Sequence, residues 1–128
     1  MTIIQEIAEQ KTSLEAIRHD IHAHPEIAFE EVRTSALVAE LLTSWGIEVH
    51  RGLGKTGLVG VLKGTGGTGT RAIGLRADMD ALPMPEYNKF AHASTNPGRM
   101  HGCGHDGHTT MLLGCLLYTS DAADDSLR

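Results

Sequence analysis

Between Met100 and His108 the chain reads Met-His-Gly-Cys-Gly-His-Asp-Gly-His, with glycines set between side chains that can bind metal. No other stretch limits the fold as strongly. In an extended backbone, residues two apart point to the same side, so His101, Cys103 and His105 are expected to converge while the intervening glycines keep bulk away. A helix is expected to begin near Asp106 or Gly107, carrying Met111, Leu112 and Leu113 into the core. Its positive end would favour a deprotonated Cys103, and a thiolate is the ligating form. The competing reading is a glycine-rich turn before a helix, with exposed histidines and Cys103 as a plain buried thiol. Eight histidines in 128 residues, with His101, His105 and His108 in this one string, favour the metal site. Only two of these side chains need be ligands, because His101 or His108 can instead orient a ligand or contact substrate.

Apolar residues upstream recur at helical spacing. Ile4, Ile7, Leu14, Ile17 and Ile21 predict an amphipathic helix over about 3–23. Pro25 ends it, because the proline ring pushes His24 out of the α region. A second helix is expected from about Glu30 to Trp45, with Val32, Ala36, Ala39 and Leu42 on one side and Gly46 after its end. Strand signals follow at Ile47–His50 and Leu58–Leu62. The GTGGTGT loop is expected to close a hairpin between Leu58–Leu62 and a further strand, Ala72–Ala77. That loop lacks a Walker lysine and a following helix, so a flexible turn is favoured over phosphate binding. Three prolines between Asp78 and Gly104 mark a long irregular stretch, a common place for function. Together these elements predict an α/β domain with a mixed sheet.

Asp78 and Asp80 lie one residue apart at the end of the expected strand Ala72–Ala77, so both carboxylates would face the crevice at the sheet edge. An aspartate there can accept the second N–H of a metal-bound histidine and fix its tautomer. A helix cap or a solvated turn is the plainer alternative for either one. His22 and His24 resemble a chelating pair, yet on a helix they stand about 200° apart, which favours structural roles. His19, His50 and His92 have no neighbouring donors and read as surface or loop residues.

A formal net charge of -5 without a Lys/Arg cluster offers little to neutralise phosphates, which argues against nucleic acid as the main partner. No apolar run reaches the ~18 residues of a membrane span. The start, MTIIQEIAEQK, has neither a basic region nor an unbroken apolar stretch of a secretory signal, so a cytoplasmic location is expected. Two cysteines are too few for a disulfide scaffold.

Three motifs in order, HAHPE, LRADMDALPM and PGRMHGCGHDGHTTMLLG, resemble the amino-terminal part of the M20 metallopeptidase family. The similar branch is that of the amidohydrolases, which includes hippurate hydrolase and indole-3-acetyl-amino-acid hydrolase. The resemblance covers Met1 to about Gly114. It implies an α/β fold: a partial zinc-peptidase-like catalytic domain, its mixed sheet flanked by helices, truncated before the smaller lid domain. It also implies that Cys103 and His105 are ligands of a divalent metal site able to hold two ions, with Mn, Zn, Co and Ni as candidates. Asp80 matches the family's active-site aspartate near the metals, and Asp78 stands where other branches carry a ligand histidine. Asp78, His101, Asp106 and His108 are candidates for substrate contact or for orienting a ligand.

The implied reaction is hydrolysis of an N-acyl amino acid, a small-molecule substrate, with a glutamate base assisting a metal-activated water. The family's Glu-Glu pair, further histidine ligands and lid, through which the parent is expected to form homo-oligomers, belong downstream of the third helix, so this chain alone is expected to be inactive. From Cys115 onward the sequence resembles a translated transposon-end adapter, and 115–128 is expected to be a non-native tail after a 1–114 partial catalytic domain. The alternatives are a non-catalytic metal-binding or interaction module, or a deacetylase or dipeptidase of the same family.

Overall fold

The computed structural model describes residues 4–64, 69 and 71–125, omitting the side chains of 121–125. Helix α1 spans Gln5–Glu9, α2 Lys11–Ala23, α3 Val32–Ser44 and α4 His105–Asp125; strands β1 and β2 span Glu48–Leu53 and Gly57–Val61.

The first expected helix is two helices on one line of apolar residues. At Gln10 the N–H turns back to the Ile7 carbonyl at 3.2 Å, and α2 restarts with Leu14 N–H on the Gln10 carbonyl at 3.0 Å. The stripe holds in α2, where Ile21 is fully buried and Ile17 packs on the core, whereas Ile4 is exposed and α1 buries no residue. Pro25 follows its end, where His24 leaves helical geometry at φ -124°.

Glu26 of the same HAHPE segment begins the next helix. Its carboxylate accepts the Arg33 and Thr34 backbone N–H groups at 2.9 and 2.7 Å and the Thr34 hydroxyl at 2.7 Å. Those N–H groups have no partner within a helix, and a carboxylate there also meets the positive end of the dipole. Helix α3 therefore starts at Val32, which is exposed rather than on the expected apolar side; Val38, Ala39 and Leu42 form the buried face. Gly46 ends it at φ +73°, a left-handed position that favours glycine.

Pairing of the strands departs from expectation. β1 and β2 form an antiparallel hairpin, Glu48 opposite Val61 and Leu53 opposite Gly57, with an irregularity between Arg51 and Leu53. Gly54 and Lys55 take positive φ in the connection, so the short turn closes the hairpin before the GTGGTGT loop is reached. Residues 65–68 and 70 of that loop lie outside the described residues. Ala72–Ala77 enters no ladder among the described residues, and Ile73 and Leu75 are exposed. The stretch borders an apolar cavity of about 420 Å³ lined by Val38, Leu58, Leu62, Leu112 and Leu116 among others. Among the described residues the ladder is thus antiparallel, and parallel pairing is confined to one bridge, Ile27 to Ala81.

Helix α4 packs on α2, where Gly114 admits Leu14: a Cβ at Gly114 would stand 3.1 Å from Leu14 Cδ1. Leu113 is buried, whereas Met111, expected in the core, is exposed. Two residues apart means about 200° around a helix, so both cannot face inward. Val38, Leu42, Ile47 and Leu113 form the buried cluster, flanked by Ile17, Trp45, Leu58 and Leu116. Among the described residues no helix is long and apolar enough to cross a membrane.

Replacing the buried Leu113 with alanine removes a side chain shared by both layers of this core. The expected loss is about 2–5 kcal/mol, read as a lower urea midpoint, whereas Met111→Ala on the exposed face should leave that midpoint nearly unchanged.

Candidate metal centre

Two backbone bridges bring the site segments together. Leu82 and Met100 exchange N–H bonds at 2.9 and 3.0 Å, and the Ala81 N–H donates to the Glu26 carbonyl at 2.7 Å. The Leu75–Pro83 motif therefore lies between HAHPE and the His/Cys string. Helix α4 fastens it again, because the Thr109 hydroxyl donates to the Asp78 carbonyl at 3.0 Å.

His105 opens α4 beside Asp80. Its Nδ1 lies 2.9 Å from the Asp80 carbonyl oxygen and 3.0 Å from Asp80 Oδ1. Both neighbours are acceptors only, so Nδ1 donates to Asp80, and Nε2 has no hydrogen-bond partner among the described residues. Histidines that bind metal have this form, one nitrogen donating to a carboxylate or carbonyl and the other left to ligate. Asp78 Oδ2 is 3.9 Å from that Nε2, and the Asp78 carboxylate also pairs with Arg76. The His108 ring lies 5.4 Å from that of His105 on the exposed side. Cys103 is exposed rather than buried.

The expected three-way convergence does not occur. The chain bends at Cys103 and Gly104, and Gly104 takes φ +88°, so the alternation rule fails at this turn. Among the described residues no three His, Cys, Asp or Glu side chains are grouped to hold a metal. His101 points inward: it is buried, its ring centroid 6.2 Å from that of His22, with no hydrogen-bond partner on either nitrogen among the described residues. Burial pushes its pKa down, which favours the neutral ring. Asp106 also turns inward. The string thus divides, with Cys103, His105 and His108 toward the outside and His101 and Asp106 toward the interior.

On the inner side lies a network that the motifs did not reveal. His22 Nδ1 is 2.9 Å from Asp106 Oδ2, and His22 Nε2 is 3.0 Å from Glu86 Oε1. All three side chains are nearly sealed from solvent, at 6%, 1% and 3% exposure. Arg18 Nε adds a contact of 3.3 Å to Asp106 Oδ2. Burial alone would lower the pKa of His22, yet the hydrogen bonds and charges of Glu86 and Asp106 outweigh it and raise it above 6.5. Burial opposes the charge on Glu86 too, but His22, Asn88 and the Ser94 N–H together hold its pKa down to about 2. The Asp106 pKa is likewise lowered: burial works against it, while His22, the Gly107 N–H and Arg18 prevail.

His19 and His92, expected to be isolated, stack at 3.7 Å between ring centroids, and Phe90 stacks on His92 at 4.1 Å. Burial, then the charges of His19, His22 and Arg18, lower the pKa of His92. A signal for this network was present: His22 lies four residues after Arg18 and beside Ile21, at the inner edge of the α2 stripe, where a histidine must find partners.

A family model described as Peptidase family M20/M25/M40 matches residues 74–128. Hippurate hydrolase of Campylobacter jejuni is 50% identical over 113 residues, which cover 88% of this chain and 29% of that protein. The chain belongs to the M20 family. An N-acyl-L-amino acid amidohydrolase of Geobacillus stearothermophilus is 48% identical over 120 residues, or 93% of this chain and 32% of the relative. Among solved structures, the Bacillus subtilis YXEP protein, described as a dinuclear metal binding peptidase from the M20 family, superposes with a TM-score of 0.84 at 35% identity. That match covers 91% of this M20 chain and 32% of the other. The chain therefore spans about a third of the length of the relatives it matches.

The buried ion pairs set a pH window for this M20 chain. Glu86, lowered from 4.5 to about 2, contributes stability that is present above pH 4.5 and is lost as pH falls toward 2. His22, raised above 6.5, contributes stability that is complete below 6.5 and disappears as pH rises through its folded value. The difference in urea midpoint between the native chain and His22→Gln should accordingly be largest between these limits and shrink on both sides. A difference independent of pH would exclude the charged network.

Proposed function

We propose that residues 1–114 supply part of the catalytic domain of a cytoplasmic metal-dependent amidohydrolase that cleaves the amide bond of N-acyl amino acids. The observation that carries this reading is the contact of His105 Nδ1 with Asp80, which leaves Nε2 without a hydrogen-bond partner among the described residues. The names of the relatives, hippurate hydrolase and N-acyl-L-amino acid amidohydrolase, support the substrate class.

The donor set fits part of a divalent metal site. His105 Nε2 and Cys103 Sγ would hold the ion, and imidazole with thiolate suits Zn most directly, with Mn, Co and Ni as the other candidates. A bound divalent ion supplies Lewis acidity that lowers the pKa of water and polarises an amide carbonyl. The residues of this chain do the positioning. Asp80 holds the His105 ring in one orientation through Nδ1. Asp78, 3.9 Å from the free nitrogen, adds negative potential beside it. Exposed His108 stands on the open side, where a substrate carboxylate or acyl group would approach. Two donors are fewer than the three or four protein ligands of a zinc centre, so the remaining ligands and the general base belong to sequence outside this chain.

Two assays test the proposal. The 128-residue chain, supplied with Mn or Zn, is expected to release no benzoate from hippurate; turnover would show that it carries its own base. A chimera in which residues 1–114 replace the matching segment of the Campylobacter jejuni hippurate hydrolase is expected to hydrolyse hippurate. Asp80→Asn in that chimera should cost about 10–100-fold in activity or metal affinity, and Cys103→Ala should abolish turnover. A folded chimera inert on every N-acyl amino acid tried, yet binding metal tightly, would favour a non-catalytic module.

A further inference from the structure

We propose that His22 is a positioning residue, a doubly donating imidazolium that clamps Glu86 to Asp106 and thereby fixes the turn carrying Cys103 and His105. The inference rests on the reading of those two side chains as metal ligands.

Both ring nitrogens of His22 face carboxylate oxygens, at 2.9 Å to Asp106 and 3.0 Å to Glu86. A carboxylate accepts and does not donate, so a neutral imidazole could satisfy only one of the two. The charged ring satisfies both, and the surrounding charges sum in its favour: two carboxylates against Arg18, with His92 and His101 as the other titratable neighbours.

The two acceptors belong to different segments. Glu86 organises the irregular stretch after Pro85, because its second oxygen takes the Ser94 N–H and its first also takes the Asn88 amide. That stretch is tied back to the end of α2: the Thr95 N–H and hydroxyl donate to the Ala23 carbonyl at 2.8 and 2.7 Å, and Asn96 Nδ2 to the Pro25 carbonyl at 2.9 Å. Asp106 is the residue after His105 in the first turn of α4. Gly104, at φ +88°, separates His105 from Cys103. A glycine in that conformation restrains its neighbours little, so the direction of the turn is set from outside it. Asp80 holds one side through His105, and His22 holds the other through Asp106. A side chain 84 residues from Asp106 in sequence thus aims the donors through Asp106.

The test uses the full chain. In metal-free protein at neutral pH, the ¹⁵N resonances of the His22 ring should show both nitrogens protonated; a neutral ring would overturn the proposal without any variant. In His22→Gln, and in the milder Glu86→Gln, amide exchange at His108, whose N–H bonds the Gly104 carbonyl across the turn, should quicken at least tenfold while α3 and the β1–β2 hairpin keep their protection. Unchanged exchange at the turn would overturn the clamp. So would a uniform loss of protection, which marks an ordinary core residue. Cobalt(II) titration then separates the clamp from the reading beneath it. The thiolate charge-transfer band should vanish in Cys103→Ala and need about tenfold more cobalt in His22→Gln. A cobalt affinity indifferent to Cys103→Ala would refute the ligand reading, while the exchange data would still decide the clamp.

Discussion

A charged imidazole between two carboxylates joins three segments that have no covalent reason to meet. Helix α2 provides His22, the irregular stretch before Met100 provides Glu86, and the first turn of α4 provides Asp106. Placing three ionisable groups out of water carries a desolvation cost of several kcal/mol per ion, which only short, well-directed contacts repay. Such a network adds little net stability compared with an apolar core, but loss of one member leaves a buried charge alone, at about 3–5 kcal/mol. Its effect is on uniqueness: an apolar contact tolerates sliding, whereas two hydrogen bonds from one ring do not.

The apolar core provides the ground on which this polar network is built. Val38, Leu42, Ile47 and Leu113 join α3, the hairpin and α4, and the Leu14 to Gly114 contact lets α2 approach closely. Burial of those side chains is non-directional and fixes which layers face each other. The hydrogen bonds then settle the register within those layers. Thr109 and His105 hold the Asp78–Asp80 segment against one side of α4, and Asp106 holds the other side against α2. His105 Nδ1 is thereby held on Asp80, and its Nε2 has no hydrogen-bond partner among the described residues.

Much of this was legible along the chain. The α2 stripe, the stop at Pro25, the left-handed Gly46, the helix after the glycine-rich string and the M20 resemblance all come from local rules that the fold obeys. Local rules failed where two conformations compete over a few residues. The hairpin forms between β1 and β2, closing at Gly54 and Lys55 where the backbone takes positive φ, and not across the GTGGTGT loop. The alternation argument for His101, Cys103 and His105 failed because Gly104 is free to bend the string. Val32 and Met111 are exposed because the phase of a helix depends on where it begins and on which face the rest of the molecule offers.

The sequence by itself determined the inventory: which residues can ligate, which stripes are apolar, where helices must stop, and to which family the motifs belong. Tertiary structure alone decided the partners. Glu86 and Asp106 lie 64 and 84 positions from His22, and no periodicity of 2 or 3.6 relates residues so far apart. The division of one short string, with His105 turned toward Asp80 and Asp106 toward His22, follows from which packed surfaces stand on either side of α4. Side-chain chemistry is a property of each residue, whereas charge state and direction are set by neighbours that only the folded chain brings within 3 Å.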